Sequence, residues 1–365
     1  MTALRDPLTK RLARGAYRLG LGLEILTRSG EHSGAPRVFY GGTRPGDSGG
    51  ALVKMQRLVE YFPEDRQRYN LVYLMSNTPY LPPFALETLK RRGVPIVLNQ
   101  NGVFYGGWFA GDWQAKNREM AVAYHAADHV FWQSAFCRRS ADRFLGERDG
   151  AGEVLFNAVD TNHFTPAAER PERPLTFLVA GKIDQHLFYR IDSSLRGFAE
   201  VRRRGLDAAM IIAGMLDNRA EEMTRALITD LGLGDRVTLT GAYRQADAPS
   251  VYRQADIYVM TKHNDPCPNT VLEAMASGLP VIYSATGGVP ELVGDEAGFG
   301  LACAESWDEP HWPDSDALAD AMLRTAETRE TMAAAARERA IALFGIEHWI
   351  GRHRTVFESL LENRA

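Results

Sequence analysis

The chain has 365 residues, too many for one ordinary hydrophobic core, so two domains are expected. Its 45% hydrophobic, 10% aromatic and 24% charged content is that of a soluble globular protein and excludes disordered and fibrous classes. A formal net charge of -4 argues against a nucleic-acid partner, and three widely spaced cysteines, Cys137, Cys267 and Cys303, match neither a disulfide framework nor a zinc site and point to the cytoplasm.

In chain order, the first segment alternates Arg5, Lys10, Arg11, Arg14 and Arg18 with Leu4, Leu8, Leu12, Tyr17 and Leu19 at helical spacing. Such a basic amphipathic helix either lies on an anionic membrane surface, at the inner face of the cytoplasmic membrane, or docks its apolar face on its own protein. The longest apolar run nearby, "LGLGLEIL", is too short to span a bilayer and carries Glu24.

Short runs rich in β-branched and aromatic residues then alternate with helical patterns. These are "RVFY", "NLVYLM", "PIVLN" and "HVFWQ", followed by "LTFLVAG", "AAMIIAG", "RVTLTG", "DIYVM" and "PVIYS". The alternation predicts parallel sheets built from βαβ units. Between the groups, residues 156–174 hold three prolines and few apolar residues, which places a boundary there. The expected organisation is a basic extension over 1–35, an N-terminal Rossmann-like domain over 36–160, a C-terminal one over 161–345, and a crossover helix over 346–365. That last helix carries Trp349, Val356, Phe357 and Leu360 on one side and is expected to pack back on the N-terminal domain.

Ligands of such sheets sit beyond the carboxyl ends of the strands, so the chemistry belongs to the residues that follow them. Lys182 follows "LTFLVAG", and Arg190 opens the next helical pattern; two cations there suit a diphosphate, or are simply solvated. After "DIYVM" comes the loop "TKHNDPCPN", and Pro268 leads into the helix "NTVLEAMA". The first amides of that helix, on Asn269, Thr270 and Val271, form an anion site. Asp265 and Glu273 stand eight apart, within reach of sugar hydroxyls. Thr270 and Glu273 also have the spacing of a capping box, which would turn Glu273 back onto its own backbone. Further on, Gly287 and Gly288 either admit a ligand or make a tight turn.

Taken together, "VAGK", "GFAEV", "VTLTGAY", "ADIYVM", the D-x7-E pair, "EAMASGLPVI" and "GGVPELV" resemble, in that order, the donor half of the retaining nucleotide-sugar glycosyltransferases of family 4, and "VLFNAVDTNHFTP" resembles the family's interdomain stretch. The resemblance implies an α/β fold of two Rossmann-like doubly wound domains facing across a cleft, the GT-B fold. It also implies metal-independent transfer of a sugar from a nucleoside-diphosphate sugar to an acceptor hydroxyl with retention, in polysaccharide or lipid-linked glycan synthesis. No cofactor is implied, and no Asp-x-Asp metal pair stands beside the region. Lys182 and Arg190 would hold the diphosphate, in positions where the family usually has arginine and lysine. Asp265 would touch the transferred sugar, Glu273 the ribose, and the loop at Tyr243 the nucleobase. Pro268 through Val271 would lie against the donor. In the first half, "GDSGGALVKMQRLVEYF" resembles the family's glycine-rich loop and places Gly49 and Gly50 near the diphosphate; Asn101 stands where many members have a histidine that contacts the sugar. Phe104, Tyr105, Trp108, Phe109 and Trp113 either stack on an acceptor sugar or pack in the core.

Asn101 and Asp265, both departures from the family pattern, motivate an alternative reading, a catalytically silent nucleotide-sugar binding protein. A dinucleotide-dependent oxidoreductase is disfavoured, because no G-x-G-x-x-G follows a first strand.

Overall fold

The structure is a computed structural model that describes residues 8–28, 34–46, 50–169 and 172–363. The chain forms two compact units. Unit 1 is Met1–Phe156, Trp307–Glu309 and Glu347–Ala365; unit 2 is Asn157–Ser306 and Pro310–Ile346. Leu4 and Arg5 lie outside the described residues, as do the side chains of Leu8 and Arg11.

Unit 1 begins with α1 (Leu8–Thr27), followed by β1 (Val38–Phe39), α2 (Gly50–Tyr61), β2 (Leu71–Met75), α3 (Pro83–Arg91), β3 (Ile96–Gln100), α4 (Trp113–Ala126), β4 (His129–Trp132), α5 (Ala135–Leu145) and β5 (Ala151–Val154). The strands form one sheet in the order β1-β2-β3-β4-β5, every pair parallel. β2 and β3 are buried at every position, as continuous β-branched and aromatic runs between two helical layers must be.

Unit 2 contains β6 (Leu175–Ala180), α6 (Tyr189–Arg203), β7 (Ala208–Ala213), α7 (Asn218–Asp230), β8 (Val237–Gly241), α8 (Ala248–Tyr252), β9 (Ile257–Met260), α9 (Asn269–Ala276), β10 (Val281–Ser284), α10 (Val289–Val293), β11 (Gly298–Leu301) and the long α11 (Ser315–Phe344). Its parallel sheet runs β11-β10-β9-β6-β7-β8. Strand order therefore reverses between β6 and β9, which pair directly at Phe177 with Ile257 and Leu178 with Tyr258. In a doubly wound sheet that reversal opens a crevice at the carboxyl ends of the two strands.

The last helix, α12 (Ile346–Glu362), returns to unit 1, as expected. Phe357 meets the rings of Phe62 and Tyr73 at centroid separations of 5.0 and 5.9 Å, and Trp349 and Val356 are buried. Leu361 takes the innermost place at the helix end, and Leu360 is half-buried, a one-residue rotation of the expected face. His353, fully buried on this helix, has both ring nitrogens engaged. Its Nδ1 donates to the Trp349 carbonyl at 2.8 Å, and its Nε2 accepts from the Tyr73 hydroxyl at 3.0 Å. Burial, with Lys54 and His129 nearby, holds its pKa down at about 3, so the ring is neutral.

α1 has two apolar faces. Leu21 and Ile25 enter the core of unit 1 with Tyr17 against them. On the opposite side Leu12, Leu19, Leu23 and Leu26 are 65%, 54%, 51% and 42% exposed. Their spacing of seven, four and three residues aligns them on one stripe.

The aromatic residues after β3 are mostly packed. Tyr105 stacks on Phe144 and meets Trp307 edge-on, Trp113 meets Phe144, and Phe104 meets Phe109. Trp307 also stacks on Phe136 at 5.3 Å, and its carbonyl accepts from the Gly107 amide at 2.8 Å. Trp108 remains 39% exposed.

Candidate functional site

In unit 2 the predicted residues gather at the carboxyl ends of β6, β9 and β10. Arg190, the second residue of α6, is only 3% exposed. Its Nη2 donates to the Ala180 carbonyl at the end of β6 (3.1 Å) and points to Met260 Sδ at the end of β9 (3.6 Å), which places the guanidinium at the strand-order reversal. Its Nε has no hydrogen-bond partner, and among the described residues no carboxylate forms an ion pair with it. Lys182, one residue past Gly181, is exposed at the mouth of the same loop.

Asp265 sits in the β9–α9 loop with its carboxylate engaged. Lys262 Nζ donates to Oδ2 at 2.7 Å, and the Cys267 amide donates to Oδ1 at 3.1 Å. The loop is held from beneath by Gly287 and Gly288. The Gly288 amide donates to the Asp265 carbonyl at 2.9 Å, and Gly287 has φ +71°. A Cβ on Gly287 would stand 2.5 Å from that same carbonyl oxygen. Gly287 thus permits one backbone to lie against another, a use more specific than either sequence reading.

The N-cap of α9 is Pro268, which places Thr270 inside the helix and Glu273 at its fifth position, out of register for a capping box. Proline also has no amide hydrogen to receive the reciprocal bond. The Glu273 carboxylate, 4% exposed, turns instead to a polar cluster: Tyr252 donates its hydroxyl to Oε2 and Gln245 its Nε2 to Oε1, both at 2.8 Å. Burial and then the Glu273 charge raise the Tyr252 and Tyr243 hydroxyls far above their ordinary pKa, so both stay neutral beside the carboxylate. Glu273 is thus held as a carboxylate by neutral donors from α8 and the segment before it.

At the helix start, the Val271 amide donates to the Pro268 carbonyl at 3.1 Å, which leaves Asn269 and Thr270 as the amides without an intrahelical acceptor. Asn269 does not cap the helix. Its Oδ1 accepts from Asn157 Nδ2 at 2.9 Å, and that same nitrogen donates to the Cys267 carbonyl at 2.9 Å. Asn157, Gln245, Tyr252 and Lys262 were not singled out from sequence. Of these, only the Lys262–Asp265 spacing of three, with opposite charges, gave a local signal. His263, its pKa lowered by burial, donates from Nε2 to the Ser306 carbonyl at 2.9 Å and accepts at Nδ1 from the His311 amide at 3.2 Å, fixing the loop root.

In unit 1, Asn101 follows β3. Its Oδ1 accepts from Lys54 Nζ at 3.0 Å and from Gln133 Nε2, and its Nδ2 donates to Asn77 Oδ1 at 3.0 Å. Lys54 also donates to Asn99 Oδ1 at 2.8 Å. A lysine has donors only, so it dictates which end of the Asn101 amide faces it. Gly50 is the first residue of α2, and Gly49 lies outside the described residues.

Residues 161–339 match the family described as glycosyl transferases group 1. Through that segment, just under half of its length, the chain is similar to the group 1 glycosyl transferases. The match covers Arg190, Tyr243, Asp265 and the whole of α9, so the buried guanidinium and the Glu273 cluster are features of the group 1 segment. A D-inositol 3-phosphate glycosyltransferase of Saccharomonospora viridis is 31% identical over 216 residues, 55% of this chain and 49% of that protein. Mannosylfructose-phosphate synthase of Agrobacterium fabrum is 28% identical over 145 residues, 36% of this chain and 32% of its own length. The chain thus spans between about a third and a half of these two relatives. Among solved structures, Anabaena HepE, determined in complex with UDP and glucose, superposes with a TM-score of 0.68 at 15% identity, covering 89% of this chain and all of that one. The fold is GT-B, two Rossmann-like units.

Proposed function

We propose that the protein transfers a glycosyl group from a nucleoside-diphosphate sugar to an acceptor hydroxyl, with retention of configuration, in glycan or lipid-linked glycan assembly. The observation that carries this reading is Arg190. A guanidinium that is nearly dry, with Nε unpartnered and no carboxylate among the described residues in ion-pair range, is costly to keep. An anionic ligand at the strand-order reversal offsets that cost, and the group 1 relationship supports a nucleoside diphosphate as that anion.

In this reading Arg190 and Lys182, with the amides of Asn269 and Thr270, meet the charge that develops on the departing diphosphate, so metal is not required. The bond from the anomeric carbon to the phosphate oxygen breaks, the acceptor oxygen bonds to that carbon on the same face, and the acceptor's hydroxyl proton passes to the departing diphosphate. Glu273 accepts the ribose hydroxyls, the backbone near Tyr243 meets the base, and Val271 and Pro268 shape the floor. Asp265 and Asn101 contact the transferred sugar, and Gly50 lies near the diphosphate. The exposed leucine stripe of α1 supports a peripheral contact with a membrane from a cytosolic setting; no helix among the described residues is long and apolar enough to cross one.

The test is Arg190→Met. It should lower affinity for nucleoside diphosphates by at least about a hundredfold, the loss of two charge-assisted bonds, and abolish transfer in EDTA-treated enzyme. It should also leave the melting temperature unchanged or higher, because a costly buried charge is gone. Retained nucleotide affinity would remove Arg190 from the site. A silent donor-binding protein is favoured by one observation, the occupation of the Asp265 carboxylate by Lys262 and the Cys267 amide. Calorimetric binding of nucleotide sugars without release of nucleoside diphosphate would decide for it.

A further inference from the structure

Unit 1 holds a cavity of about 90 Å³ between α1, the loop after β2 and α4. Arg14 and Arg18 enter it from α1, and Lys116 and Glu119 from α4, so three cations and one carboxylate line it. Arg18 donates to Glu119, a pair that pins α1 to α4. The third wall is Ser76, Asn77 and Thr78, three polar side chains immediately past the carboxyl end of β2. Asn77 is the acceptor for Asn101 Nδ2, so the cavity lies one side chain from the residue assigned above to the transferred sugar. A second, more open cavity of about 390 Å³ shares the Thr78 and Tyr80 wall and is bounded by Tyr17, Pro45 and Leu52.

A small, partly enclosed space with a net charge of two cations, in a chain of net charge -4, selects for anions locally. Its size suits one tetrahedral anion, and hydroxyl and amide side chains complete the donors such an anion needs. The larger space suits the body of a monosaccharide or polyol, whose apolar faces lie well against tyrosine and leucine.

We propose that the Arg14–Arg18–Lys116 cavity binds the phosphate group of a phosphorylated acceptor, with the acceptor's ring in the adjoining trough. This rests on the glycosyl-transfer reading above. The phosphate belongs either to a soluble sugar or polyol phosphate or to a lipid headgroup. α1 supplies both the two arginines and the exposed leucine stripe, so one helix serves either source.

The test uses the full chain in low salt. Calorimetry with a soluble hexose phosphate and with the same hexose lacking phosphate forms one arm. Sedimentation with phosphatidylcholine vesicles, with and without phosphatidic acid, forms the other. The variants are Lys116→Gln and Arg14→Gln, which leave the Arg18–Glu119 pair in place. Phosphate-dependent binding in either arm, weakened about tenfold or more by each variant, is the expected result, one charge-assisted contact being worth that much. The arm that responds names the source. Equal affinity for the phosphorylated and unphosphorylated hexose together with equal binding to both vesicles overturns the proposal, as do variants that keep wild-type phosphate affinity. Binding of UDP is measured in parallel and should not change in either variant; failure of the wild type to bind any nucleoside diphosphate would sink the glycosyl-transfer reading instead.

Discussion

Acidification should loosen unit 1 through His353, by an amount the structure sets. Folded, the imidazole is neutral at a pKa of about 3, enclosed by Trp349 at 4.2 Å and Phe131 at 4.5 Å between ring centroids. Unfolded, it returns to about 6.5. Because the folded value is the lower one, the unfolded chain takes up the proton first, and the site's contribution is intact above 6.5 and lost as pH falls toward 3. The slope is about 1.4 kcal/mol per pH unit, so between pH 7 and pH 5 this one group removes about 2 kcal/mol. His129 also has a pKa lowered by burial, and in unit 2 so does His263, so total acid lability exceeds this figure. Comparison with His353→Gln isolates it, since glutamine retains polar contacts without titrating. Urea unfolding at both pH values, followed by tryptophan fluorescence, reports on unit 1, which holds Trp108, Trp113, Trp132, Trp307 and Trp349. The wild type should lose about 2 kcal/mol more than the variant over that interval. Equal losses in the two proteins would refute the reasoning.

Three further outcomes follow from the geometry. Gly287→Ala forces a side chain into left-handed backbone and onto the Asp265 carbonyl, so unfolding free energy should drop by at least about 2 kcal/mol in urea titration, with transfer activity falling alongside. Tyr252→Phe removes a donor to the Glu273 carboxylate and should cost about 1.5 to 3 kcal/mol of unit 2 stability and weaken UDP binding; unchanged values for both would detach Glu273 from the donor site. Leu19→Ser and Leu23→Ser, on the exposed stripe of α1, should each reduce partitioning onto anionic liposomes by at least about tenfold without altering UDP affinity, and equal sedimentation of variant and wild type would remove the membrane contact.

The nine apolar runs read from sequence all became strands, because buried parallel strands are near-continuous β-branched and aromatic segments. The two strands that escaped, β5 and β11, are sheet edges with the sequences "AGEV" and "GFGL", where exposure and glycine erase the pattern. That Arg190 and Asp265 lie beyond the carboxyl ends of β6 and β9 was legible from their place after those strand patterns; their roles stay part of the proposal. The state of Glu273 was not, because the choice between cap and open carboxylate depends on Pro268 being the N-cap and on Tyr252 and Gln245, which lie 21 and 28 residues away. Aromatic residues after β3 were ambiguous for a similar reason. Their packing partner Trp307 comes from a segment some 200 residues downstream, which no local pattern announces.

That segment and α12 give unit 1 an unusual assembly schedule. Its sheet is complete once β5 has been made, yet the helix that covers Phe62 and Tyr73 is made nearly 200 residues later. Unit 2, although it begins later in the chain, has all its strands and helices by Ile346. The second unit therefore closes first during synthesis, while the first waits with an apolar face bare for nearly 200 residues of elongation, and nascent chains released before α12 should be captured by chaperones at that face.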